Sequence, residues 1–96
     1  MATTNTLTWT KNTELDVAKY NVYRQVGSPP TKSASNLQAS VPATLNTYVD
    51  TVTVDATYYY GITAVDTSNN ESPLSAVVNK LVDSNPPQAP IGLTVV

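Results

Sequence analysis

Ninety-six residues with no Cys and no His allow one domain with a modest core. They exclude disulfides, thiolate metal sites, thiol catalysis and a Ser-His-Asp triad. Charged residues make up 12% and the formal net charge is -2, which leaves no electrostatic footprint for nucleic acid or an anionic membrane. The apolar share of 41%, with six Tyr and one Trp, suits a β-sandwich core and is too high for a disordered linker.

The first predicted strand is Thr6 to Thr10, where Leu7 and Trp9 alternate with threonines. A polar connection, Lys11 to Asp16, leads to a second strand, Val17 to Gln25. Tyr20 and Val22 share one of its faces, and Asn21 and Tyr23 the other. Gly27 to Pro30 breaks that strand through a flexible backbone and missing donors. From Thr31 to Thr47 the pattern is weak: Leu37, Val41 and Leu45 mark short edge strands or loop anchors, and Pro42 argues for an edge.

Alternation resumes over Tyr48 to Val54, with Tyr48 and Val52 facing in. The strongest segment is Thr57 to Asp66. It puts Tyr58, Tyr60, Ile62 and Ala64 on one face and Tyr59, Gly61, Thr63 and Val65 on the other. Thr67 to Pro73 is a turn-rich loop, and Ala76 to Val82 is the partner strand. Asp83 to Pro90 is a stiff extended linker, because its prolines favour polyproline geometry and block ladder bonds. Ile91 to Val96 is a last short strand. No segment reads as a helix of useful length, and no apolar run is long enough to cross a bilayer. Short strands separated by polar turns predict an all-β antiparallel sandwich of seven strands.

The order and spacing of L-T-W-T at 7–10, D-V-A-K-Y-N-V-Y-R at 16–24, T-Y-Y-Y-G-I-T-A-V-D at 57–66, S-N-N-E-S-P at 68–73 and P-P-Q-A-P-I-G-L-T-V at 86–95 resembles a fibronectin type III domain. The likeness is to the kind found in bacterial and archaeal secreted proteins, and it covers nearly the whole chain. It implies an immunoglobulin-like sandwich with Trp9 as the core tryptophan of strand B. Tyr20 and Val22 on strand C would pack near it. Tyr58 would be the tyrosine of the E–F corner, its hydroxyl bonded to nearby backbone. Tyr60, Ile62 and Ala64 would be inward positions of strand F.

The family places its proline-flanked strand A before strand B, whereas here that motif comes last. The chain therefore divides into a sandwich over 1–82 that lacks strand A, a linker over 83–90, and a strand-A-like segment over 91–96. Three arrangements are open. The tail begins a following module, or it closes back on its own sheet as a circular permutation, or it is donated to a neighbouring copy. The stretch from Val82 to Ile91 reaches roughly 30 Å when fully extended, against about 17–20 Å for a typical strand. Return to the far pole is possible but taut, and a stiff linker favours donation through Ile91, Leu93 and Val95.

No catalytic residue, cofactor or metal site is expected. Asp66, Asn69 and Glu71 supply oxygens in one loop, but too few for calcium and without EF-hand spacing. Asn70-Glu71-Ser72 forms a glycosylation sequon, relevant only in a glycosylating host. Lys19 and Arg24 read as isolated surface charges. Tyr23 and Tyr59 are predicted outward, as a cross-strand pair or as a platform for a polysaccharide or protein.

The resemblance implies a noncatalytic extracellular or cell-surface module that spaces or assembles a larger surface or carbohydrate-active protein, with self-association or adjacent modules as its partners. The alternative is a carbohydrate- or protein-binding module acting through loops near 25–32 and 66–72. The first residues lack the basic and apolar stretches of a signal peptide, so an extracellular parent would carry its signal elsewhere.

Overall fold

Alternating β-branched and aromatic residues favour a pleated, half-buried surface, and in the computed structural model they form six strands among the described residues. The structure describes residues 2–95. The strands are β1 (Thr3–Thr8), β2 (Val17–Val26), β3 (Leu37–Pro42), β4 (Thr47–Val52), β5 (Ala56–Asp66) and β6 (Val78–Val82). A single 3-10 turn, Ala34–Asn36, precedes β3. β1 and β4 make one antiparallel sheet, and the other is four-stranded in the order β3-β2-β5-β6. The chain is thus an all-β sandwich-like arrangement of two packed antiparallel sheets.

The core lies between the sheets. Val22, Val41, Val52, Tyr58, Tyr60 and Val82 are its buried residues, with Leu7, Trp9, Tyr48, Ala56 and Ile62 packed against them. Tyr20 is buried beside this cluster, its ring edge-on to Trp9 at 5.4 Å. Its hydroxyl accepts the Asn12 backbone N–H at 2.8 Å. Leu7, Trp9, Tyr48, Ile62 and Ala64 are only half-buried.

Pairing fixes which strand ends share a pole. Thr3 of β1 lies opposite Val52 of β4, and Ala56 of β5 lies opposite Val82 of β6. Only residues 53–55 separate β4 from β5, so β1 starts at the pole where β6 ends. The opposite pole holds the end of β1, Trp9, and the segment before β6. That segment follows β5 as an irregular extension of β6: the backbone N–H groups of Ser72 and Ser75 donate to the carbonyls of Ala64 and Ile62, both at 2.9 Å. The Ser72 and Ser75 hydroxyls accept the N–H groups of Ala64 and Ile62 in return, at 2.9 and 3.0 Å. Side chains thereby stand in for the ladder beside Pro73.

The structure differs from the sequence expectation at both ends. β1 begins at Thr3 and closes at Thr8. Trp9 lies just beyond the ladder, its N–H held by the Asn46 carbonyl at 3.1 Å. The expected seventh strand over Ile91 to Val96 is absent among the described residues, and Val96 lies outside them. Residues 83–95 leave the sandwich as an exposed arm, and the molecule measures 73 × 23 × 22 Å. A short segment with no neighbouring strand has no ladder partner for its backbone, and a lone strand is not stable in water.

Candidate functional site

Strand β1 reads T-T-N-T-L-T, and its period of two sends Asn5 and Leu7 inward and the flanking threonines to solvent. β4 covers one of its edges. The other edge carries no strand among the described residues. On that side the sheets part into a groove of about 220 Å³ between β1 and the β5–β6 pair, walled by Leu7, Trp9, Tyr60, Ile62 and Val78. It runs at one end into a hollow that includes Asn5 and Lys80, and at the other into a hollow that includes Tyr20 and Pro73. Leu7, Trp9 and Ile62 are half-buried because none of the described residues closes this side.

Two buried side-chain polar atoms lack hydrogen-bond partners: Trp9 Nε1, on a residue that walls the groove, and Asn5 Oδ1, on a residue of the adjoining hollow. Buried polar groups in folded proteins are nearly always paired, and leaving one unmade is costly.

The second component is the arm. Its root is tied down: the Ser84 N–H and hydroxyl both donate to the Asp55 carboxylate, at 3.2 and 3.0 Å. Beyond that it extends freely, with Ile91 97%, Leu93 94% and Val95 95% exposed. These three residues alternate with Gly92 and Thr94, which would give an extended segment one apolar face.

A buried polar network stiffens the sandwich behind the groove. Asn5 Nδ2 donates to the Tyr60 hydroxyl at 2.9 Å, and that hydroxyl donates to Asp50 at 2.5 Å. Arg24 Nη1 donates to both Asp50 oxygens, at 2.9 and 3.2 Å. The pair is not an isolated surface charge, as the sequence suggested for Arg24: its side chain is 26% exposed and that of Asp50 2%. The guanidinium also lies 5.4 Å above the Tyr58 ring. Burial, with the Asp50 contact, pushes the Tyr60 hydroxyl up to about 12. The Tyr58 hydroxyl donates to the Val54 carbonyl at 2.6 Å, pinning the β4–β5 corner.

On the outer face of β2 and β5, Tyr23 departs from expectation. It is 4% exposed, although its phase points it away from the core. The loop after β5 returns over it, and Glu71 accepts from the Tyr23 hydroxyl at 2.5 Å, from Thr63 at 2.6 Å and from Asn21 at 3.4 Å. Burial pushes the Glu71 carboxyl up, but these hydrogen bonds and the Lys32 charge outweigh it and hold the group below its ordinary value. Burial and the bond to Glu71 raise the Tyr23 hydroxyl. Tyr59 is half-buried one strand away, so the two rings do not form an open platform.

Asp66 is occupied in the same loop. Its carboxylate accepts the N–H groups of Asn70 and Ser68, at 2.8 and 2.9 Å, and the Asn70 side chain at 3.0 Å. The Asn70 bonds, backbone then side chain, hold its carboxyl below the ordinary range. Among the described residues no group of three or more His, Cys, Asp or Glu is placed to hold a metal ion, and no helix is long and apolar enough to cross a membrane.

Sequence reasoning missed Asn5 and the buried role of Asp50, and it counted Glu71 only as a loop oxygen donor and part of a sequon. For Asp50 the signal was present: it shares the phase of Tyr48 and Val52, the inward positions of β4. No protein-family model, no curated protein and no solved structure matches the chain.

Proposed function

We propose that the chain is a noncatalytic, fibronectin type III-like module that spaces and joins units of a larger extracellular or cell-surface protein. The observation that carries this is the pairing of an open apolar groove, beside an unpaired strand edge, with an exposed arm of alternating apolar residues. The order of the strands and the Tyr58 bond to Val54 support the family resemblance. Its carboxylates support a structural role as well: Asp50, Asp66 and Glu71 are each engaged in hydrogen bonds that hold strands and loops. With Tyr23 covered, nothing favours the alternative of a saccharide platform built on Tyr23 and Tyr59.

Sedimentation equilibrium tests the assembly role. The average mass of the 96-residue chain is expected to rise with concentration, and deletion of residues 86–96 to return it to the monomer mass. A strict monomer at millimolar concentration would contradict the proposal.

A further inference from the structure

We infer that the groove beside β1 receives residues 91–95 of a second copy, which add to the free edge of β1 as an antiparallel strand. This deepens the assembly role proposed above and rests on it. Two features of the groove specify such an occupant. Its middle is apolar, walled by Leu7, Trp9, Ile62 and Val78. It runs beside a strand edge whose backbone groups call for a ladder partner. An entering strand brings both complements: apolar side chains on one face and ladder groups along its edge.

The arm has the matching chemistry. Ile91, Leu93 and Val95 fall on one face of an extended segment and have no cover in the chain's own fold. Gly92 has a φ of 77°, so the segment must straighten on entry, and glycine permits both conformations without a side-chain clash.

For the antiparallel pairing that every ladder of the described sheets uses, direction selects a second copy over the chain's own groove. The arm departs from the pole where β1 starts. A strand antiparallel to β1 must enter from the other pole, beside Trp9. For its own groove the arm would first have to run the length of the sandwich, through a linker containing Pro86, Pro87 and Pro90. For a copy stacked end-on below, the same linker leads directly to the Trp9 pole. The contact is heterologous, because groove and arm are different surfaces, so repetition builds an open head-to-tail chain unless its rotation closes. A single short strand buries less than a standard interface, so occupancy should depend on concentration.

Thr6 and Thr94 are the outward positions that such a pairing brings together. The chain has no cysteine of its own, so Thr6→Cys and Thr94→Cys can be introduced singly, and the two variants mixed and treated with a short bis-maleimide. Cross-linked heterodimer in excess of either homodimer, rising with concentration and reduced at least tenfold by Leu93→Asp in the Thr94→Cys chain, is the expected result. Association by sedimentation without this cross-link would overturn the groove assignment while leaving the assembly role intact. Efficient cross-linking within a single chain carrying both cysteines, at high dilution, would overturn it in favour of self-closure. Absence of both association and cross-link would overturn both proposals.

Discussion

The Tyr60 hydroxyl donates to Asp50 and accepts from Asn5, so one oxygen joins β1, β4 and β5 across the core. Tyr60→Phe leaves the buried Asp50 carboxylate short of a donor and Asn5 Nδ2 short of an acceptor. Chemical denaturation should register a loss of about 2 kcal/mol, within the usual cost of orphaned buried groups. Tyr58→Phe removes one bond to a single carbonyl and should cost only about 1 kcal/mol. The titrating groups act on opposite sides of neutrality. The hydroxyl of Tyr60 titrates at about 12 in the folded state against 10.0 ordinarily. Its contribution is complete below pH 10 and is lost as pH rises from there toward about 12. Glu71 is depressed from 4.5, so its contribution is complete above that value and is lost as pH falls through the lower folded value. In melts across pH, Glu71→Gln should be less stable than the parent near neutrality and converge on it in acid. An unchanged gap at low pH would remove Glu71 as the source of the acid limb.

At the scale of elements, β2 and β5 are the central strands, and they were the most legible from sequence. Their long alternating runs, V-A-K-Y-N-V-Y-R-Q and T-Y-Y-Y-G-I-T-A-V-D, fix period and face together. β3 was obscure because Pro42 and scattered polar residues dilute its pattern, and its position comes from pairing with β2. Covered outer positions were not legible at all. Tyr23 is outward by phase and buried by a loop whose return depends on Glu71, and no local pattern encodes that contact. Asn5 fell outside the strand expected from Thr6 to Thr10, and Asp50 follows the inward phase of Tyr48 and Val52 with a charged side chain that no local pattern marks as buried. Gly61 is a similar case: a Cβ there would come within 2.8 Å of Leu74 Cγ. Gly61→Ala should cost about 1–2 kcal/mol through overpacking. Leu74→Ala in the same chain should recover part of that loss, a non-additivity that a double-mutant cycle measures.

For the whole molecule, the arm dominates the dimensions. The Cα radius of gyration is 18.2 Å, against about 12.5 Å for a compact chain of this length. Small-angle scattering at high dilution should give a value well above the compact one, and deletion of residues 86–96 should remove most of the excess with little change in melting temperature. The alternating apolar pattern of residues 91–95 was legible in the sequence, but the strand expected there is absent among the described residues. Period and composition describe an apolar face without stating which surface covers it.

Trp9 reports on that surface directly, because it is the single tryptophan of the chain and lines the groove. Its emission and its quenching by acrylamide, followed from dilute to concentrated protein, therefore test whether the groove is filled by association. With the groove filled by a neighbour's arm, emission should move to shorter wavelength and quenching should weaken as the mass rises, while Leu93→Asp keeps the dilute values throughout. A rising mass with Trp9 equally accessible at every concentration would contradict the account.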